Sequence, residues 1–213
     1  MNSPKVKVCG ITREKDGKEA ISLGATYLGF ILYEKSIRAI GLEDFKAING
    51  YLADGFRVVV DVHPELERVR DYVKAGFDFF QIHISEIYDD FYLNNLSDLV
   101  GFDRLWLAPK LPPGTIFAES LFQYSNTFLI DTFKENAFGG TGKTGDWKGF
   151  KQLRTDYSEI SWILAGGLNA ENIKDAIREA GPETIDLSSG VEASPGLKSP
   201  EKLRLFFENL RDS

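Results

Sequence analysis

A short β-rich run followed by a helical stretch recurs about every 25 residues along this chain, eight times over. The strand candidates are Lys5–Cys9, Tyr27–Leu32, Arg57–Val62, Phe79–His83, Arg104–Leu107, Thr127–Ile130, Ser161–Ala165 and Thr184–Ser188. Between them lie amphipathic faces, such as Leu42, Phe45, Ile48 and Leu52, or Leu66, Val69 and Val73. Strict alternation of strand and helix argues for a parallel sheet, because parallel neighbours need a long crossover between them. Eight such units predict an α/β chain forming a single closed (β/α)8 TIM barrel, one domain over residues 1–213. The fifth unit is the weakest: Pro109, Pro112 and Pro113 crowd its strand, and its helix is poorly marked. The last helix is the clearest, with Ser199 as N-cap, Pro200 at the first helical position and Leu203, Phe206, Phe207 and Leu210 on one face. Asn169 is a similar cap for a helix carrying Ile173, Ala176 and Ile177.

In such a barrel, chemistry sits where the C-terminal ends of the strands meet the loops that follow them. Side chains alternate along a strand, so parity picks out the inward set. Lys5, Lys7 and Cys9 oppose Val6 and Val8; Gln81 and His83 oppose Phe80 and Ile82. Thr127, Leu129 and Asp131 oppose Phe128 and Ile130, and Thr184, Asp186 and Ser188 oppose Ile185 and Leu187. The apolar sets are expected to pack outward on helices. Lys7, Cys9, His83, Asp131 and Asp186 are then left in or over the barrel, since the opposite parity would bury charge against apolar helices.

The chain is 43% hydrophobic and 27% charged with a net charge of −7, ordinary globular composition. It has no basic run of the kind nucleic-acid binding needs and no apolar run long enough to span a bilayer. Met1-Asn2-Ser3-Pro4-Lys5 lacks the apolar segment of a signal peptide, and Cys9, the one cysteine, has no internal disulfide partner. A cytoplasmic protein acting on a small molecule is the expectation, as a monomer or a homodimer. An anionic substrate would need strong local donors to overcome the acidic balance.

Cys9 and Asp131 end strands one and six. A thiolate and a carboxylic acid facing one cavity suit paired proton transfers, one from carbon and one to a leaving oxygen. Cys9 needs activation for this, because a free thiol titrates near pH ~8.5. Lys7, one layer deeper, could supply positive charge or simply pair with Asp186 as a buried bridge. Two glycine-bearing turns, Gly166-Gly167 after strand seven and Ser188-Ser189-Gly190 after strand eight, stand where barrels of this kind frequently bind phosphate. Gly139-Gly140-Thr141-Gly142-Lys143-Thr144 fails as a P-loop because Ala137 stands at its first position; a glycine-rich lid over the mouth is the better reading. Arg38 in the loop after strand two suits a substrate carboxylate, although on spacing alone a solvated surface arginine is the better reading.

These residues resemble the phosphoribosylanthranilate isomerase family. The matching blocks are Cys9-Gly10-Ile11-Thr12; Gly29-Phe30-Ile31 with Tyr33, Lys35-Ser36 and Arg38; Asp131; and Gly139 to Thr144 with Asp146-Trp147. They continue through Ala165-Gly166-Gly167-Leu168 with Glu171-Asn172, Asp186-Leu187-Ser188-Ser189-Gly190-Val191-Glu192, Ser194-Pro195-Gly196, Lys198 and Pro200. The resemblance covers essentially the whole chain. It implies an Amadori rearrangement of N-(5′-phosphoribosyl)anthranilate in tryptophan biosynthesis, with no metal or organic cofactor. By the same resemblance Asp131 is the general acid and Cys9 the general base. Arg38 would hold the anthranilate carboxylate, with His83 and Asp186 also against the substrate. Gly166, Gly167, Ser189 and Gly190 would hold the phosphate.

Three stretches depart from the family pattern. Ile84 replaces a glycine after His83; strand three carries Asp61, His63 and Pro64; strand five ends in Leu107-Ala108-Pro109-Lys110. If Asp61 and His63 faced inward, the barrel would hold extra polar groups needing partners. Two other functions remain open to such a chain. A histidine-pathway isomerase of the same fold is disfavoured by Cys9, since that relative resembles a two-aspartate mechanism. A catalytically silent barrel that only binds a phosphorylated ligand is the reading from a different class.

Overall fold

A computed structural model describes residues 3–85, 88–111, 116–131 and 146–212. The eight strands are β1 (Lys5–Cys9), β2 (Tyr27–Ile31), β3 (Phe56–Val62), β4 (Phe79–Ile84), β5 (Leu105–Pro109), β6 (Thr127–Asp131), β7 (Ser161–Ala165) and β8 (Thr184–Leu187). They pair in parallel and in chain order, and β8 returns to β1 through Val6↔Ile185, Lys7↔Asp186 and Val8↔Leu187, closing the barrel. The predicted (β/α)8 architecture is what forms. Among the described residues seven α-helices surround it: α1 (Glu14–Leu23), α2 (Leu42–Asn49), α3 (Leu66–Ala75), α4 (Asp90–Val100), α5 (Trp147–Asp156), α6 (Ile173–Ala180) and α7 (Pro200–Arg211).

The parity argument holds, and it separates the core into two shells. Val6, Val8, Phe80, Ile82, Phe128, Ile130, Ile185 and Leu187 lie in the outer shell with the helices. Tyr27, Val58, Trp106, Ala108, Leu129, Ile163 and Ala165 form a separate cluster inside the barrel. Its floor is aromatic: Tyr27 meets the edges of Trp106 and Phe79 at centroid distances of 5.0 and 5.6 Å. With the N-terminal end of the barrel filled this way, the polar inward side chains are left to the opposite end.

The helix signals are mostly where the sequence puts them. Ser199 accepts from Lys202 N at 3.2 Å, Pro200 opens α7, and Leu203, Phe206, Phe207 and Leu210 are its buried face. Asn169 caps one turn earlier than expected, accepting from Glu171 N (2.8 Å) and Asn172 N (3.1 Å) ahead of α6.

Three open points are resolved. The fifth crossover carries only a 3-10 helix, Glu119–Gln123, in its described part; Pro112 and Pro113 lie outside the described residues. Asp61 does not face inward: β3 is set with Val58 inside and Asp61 under α3, where Tyr72 donates to it and Arg68 Nε lies at 3.3 Å. The burial of that charge is thereby compensated. His63 turns out of the strand at φ +43° and stacks on Tyr92 at 4.3 Å, so β3 brings no added charge into the barrel. The chain after β8 also makes a small antiparallel hairpin, β9 (Glu192–Ser194) and β10 (Leu197–Lys198), that periodicity did not reveal.

Candidate active site

Cys9 ends β1 on its inward face and is buried. Two residues back on that face, Lys7 is wholly buried and donates to Asp186 Oδ1 at 2.8 Å, joining β1 to β8 at the barrel's closing seam. Burial works to lower the Lys7 pKa, but the Asp186 carboxylate and Cys9 outweigh it and hold Lys7 above the usual lysine value. Burial pushes the Cys9 thiol up, while Lys7 and Lys198 pull it back down and Asp186 opposes them. Burial likewise raises the Asp186 carboxyl, with Lys7 acting against it and Asp131 adding to it. Both readings of Lys7 therefore hold: it is a buried bridge, and it bears on the thiol.

Asp131 ends β6 and is exposed. It pairs in register with Ala165. The β7–β8 pairs Ile163↔Thr184 and Leu164↔Ile185 carry that register on to bring Ala165 beside Asp186, which is opposite Lys7. Asp131, Ala165, Asp186 and Lys7 thus lie along one row of the barrel, with Cys9 one inward position nearer the mouth than Lys7.

Arg38 is partly exposed but not a free surface arginine. Its Nε and Nη2 grip Glu192 of the trailing hairpin at 2.8 and 2.7 Å, a two-point ion pair. Lys198 Nζ reaches the same carboxylate at 2.9 Å, and Gly196 N donates to it at 3.2 Å. Burial would raise the Glu192 pKa, but the bonds from Arg38 and Lys198 drive it down to about 2. Glu192 and Lys198 stand in the matching blocks, yet no role for them was legible. Only the β9–β10 register, with Lys198 opposite Glu192, puts them beside Arg38.

His83 is at the end of β4, half-buried, with its Nε2 3.0 Å from Gln81 Nε2. Gln81 is thus in side-chain contact with its neighbour on the same face of the strand, His83. Burial, then Lys7, lower the His83 pKa to about 4. Ile84 in place of a glycine is accommodated because β4 runs extended through it.

The two glycine turns lie against each other. Gly166 and Gly167 adopt φ of +102° and +63°, which favour glycine. Asn172 Nδ2 donates to Gly167 O at 3.0 Å and so fixes that turn. Ser189 and Gly190 belong to a short 3-10 turn after β8. A Cβ on Gly190 would lie 2.0 Å from Leu168 O, so backbone packs directly on backbone. The glycine-rich segment Gly139 to Thr144 lies outside the described residues.

Among the described residues, no group of three or more His, Cys, Asp or Glu side chains has the arrangement of a metal site, and no helix is long and apolar enough to cross a membrane.

A closed (β/α)8 barrel with ionisable side chains gathered at the C-terminal ends of its strands is the framework of a barrel enzyme. The chain matches the model of the N-(5′-phosphoribosyl)anthranilate (PRA) isomerase family over residues 6–209. It is 34% identical over 212 residues to N-(5′-phosphoribosyl)anthranilate isomerase of Microcystis aeruginosa, covering 97% of each chain. Among solved structures, phosphoribosyl anthranilate isomerase from Thermus thermophilus superimposes with a TM-score of 0.79 at 30% identity over 98% of both chains. A phosphoribosyl anthranilate isomerase in complex with reduced 1-(o-carboxyphenylamino)-1-deoxyribulose 5-phosphate does so with a TM-score of 0.75 at 28% identity, covering 99% of this chain and 100% of that one. The chain belongs to the N-(5′-phosphoribosyl)anthranilate isomerase family.

Proposed function

We infer that this chain isomerises N-(5′-phosphoribosyl)anthranilate to 1-(2-carboxyphenylamino)-1-deoxyribulose 5-phosphate, in tryptophan biosynthesis. The family match across residues 6–209 carries the reading. The chemistry is an acid–base Amadori rearrangement. Asp131, exposed at the mouth, gives its proton to the ribose ring oxygen as the C1′–O bond breaks, leaving a Schiff base. The Cys9 thiolate removes the C2′ proton to give an enolamine, which tautomerises to the ketone. The thiol acts as a base and forms no bond to carbon.

The surrounding residues suit the rest of the substrate. Arg38 spends Nε and one Nη2 hydrogen on Glu192, so its Nη1 group is left for the anthranilate carboxylate. Backbone N–H groups of Gly166, Gly167, Ser189 and Gly190 would receive the phosphate, as adjoining turns at this end of a barrel do. His83 and Asp186 would also contact the substrate. The proposed setting is the cytoplasm, with the chain working as one barrel domain, alone or as a homodimer.

The test is loss of anthranilate-type fluorescence when the purified protein meets the substrate. Cys9→Ala and Asp131→Asn should each lower kcat by at least about 10²-fold, the usual scale for a general acid or base. Wild-type turnover in either variant removes that residue from its role. A wild-type protein that binds but never converts the substrate would mark a silent barrel.

A further inference from the structure

Lys198, paired with Glu192, has no place of its own in the chemistry just described, yet a wholly buried lysine is expensive to maintain. Its position suggests why it is there. Lys198 Nζ lies 2.9 Å from Glu192 Oε1 and 3.3 Å from Ser188 O. It is also 3.5 Å from the point a Cβ on Gly10 would occupy, directly beside the Cys9–Gly10 peptide. Ser188 follows Leu187, which pairs with Val8, so the β1–β8 register carries it beside Cys9. The ammonium thus stands over the same seam that Lys7 occupies from below.

The charges around the thiol do not cancel. Lys7 comes from β1, Asp186 from β8, Arg38 from the loop after β2, and Glu192 and Lys198 from the hairpin. Asp186 answers Lys7 one for one. Glu192 alone answers both Arg38 and Lys198, leaving one positive charge in excess among these five groups; the buried Asp16, which accepts from the Lys198 backbone N–H at 3.2 Å, is answered by Arg13. Asp131 brings a further carboxyl to the same end of the barrel and bears on Asp186.

We propose that Lys198, anchored by Glu192, is a positioning residue whose charge keeps the Cys9 thiol ionisable, acting through the thiol and not on the substrate. The pull of Lys198 on the thiol runs in this direction. The proposal deepens the reading of Cys9 as the base and rests on it only for its catalytic consequence.

Cys9 is the chain's one cysteine, so protein labelled with 13C at cysteine Cβ gives a single signal whose pH titration reports this thiol directly. Removing a neighbouring opposite charge should raise the thiol pKa by about one unit or more, so Lys198→Met should titrate at least that much higher than wild type. Lys198→Arg should restore most of the shift, and Lys46→Met, on the surface, should leave the titration where it was. Glu192→Gln should move it the other way, because it removes the answering carboxylate; packing damage alone would not reverse sign. That variant also decides the matter if Lys198→Met does not fold. An unchanged titration in Lys198→Met, or an unchanged or raised one in Glu192→Gln, overturns the proposal. The acidic limb of the kcat/KM pH profile should follow the NMR titration. If the titration moves and the profile does not, Lys198 keeps its influence on the thiol and Cys9 loses its role as base.

Discussion

Replacing Gly190 by alanine tests the phosphate site through a contact that has no soft partner. The new methyl carbon would lie 2.0 Å from Leu168 O and 2.9 Å from both the Leu168 carbonyl carbon and Asn169 Cβ. A carbon–oxygen contact relaxes at about 3.3 Å, so the turns after β7 and β8 must separate by about 1.3 Å. The nearest obstacle is main chain, so no side chain can rotate away. Overpacking of this kind costs about 1–3 kcal/mol of stability, and in a chain of this size each kcal/mol lowers Tm by about 2–4 °C. The same displacement takes N–H donors beyond the ~3.2 Å reach of a hydrogen bond. Losing even one charged bond to phosphate, about 1.5–3 kcal/mol, raises KM roughly 10- to 100-fold. Steady-state fluorescence kinetics, competition by inorganic phosphate and a thermal melt measure all three effects. Gly50→Ala is the control: its backbone is helical at φ −58° and its new Cβ meets nothing closer than 3.5 Å. Native KM, phosphate inhibition and Tm in Gly190→Ala would refute both the steric argument and the assignment of phosphate to these turns.

Other perturbations read other parts of the site. His83 titrates at about 4 in the fold against 6.5 unfolded, so between those values the unfolded chain binds a proton that the folded one refuses. Its contribution to stability falls by roughly 2.5 kcal/mol from pH 7.5 to 4.5, and His83→Asn should flatten that part of the pH–stability curve in urea titrations. Lys7→Met leaves Asp186 buried without its cation and should cost about 3–5 kcal/mol, with much of that recovered in Lys7→Met/Asp186→Leu; equal melts for the single and double variants would contradict it. Arg38→Lys abolishes the two-point grip on Glu192 and should raise KM about 10-fold for the anthranilate substrate, while barely affecting an aniline analogue without the carboxylate; an equal loss for both would move the carboxylate elsewhere.

Much of this was legible because barrel strands obey parity. Val6 and Val8 against Lys7 and Cys9, or Phe80 and Ile82 against Gln81 and His83, declare their faces without any structure. Parity left Asp61 open, and there a charged side chain packs outward. Its compensation comes from Tyr72 and Arg68 on α3, and a partner one helix away leaves no local mark in the sequence. Arg38 was legible as a residue and not as a geometry. The grip of Glu192 on it spans 154 positions and depends on a hairpin of three and two residues, too short to show a period. Lys198 was hidden for the same reason. Its burial comes from the way the hairpin folds back over the end of β1.

That folding back has a temporal meaning. Cys9 leaves the ribosome well before Asp186, Glu192 and Lys198, which lie far along the chain from it. The Lys7–Asp186 bond joins residues 179 positions apart across the seam between first and last strands. The thiol therefore acquires its electrostatic surroundings only when that seam shuts. Closing the ring and arming the thiol become one event, and a partly folded chain carries an ordinary cysteine.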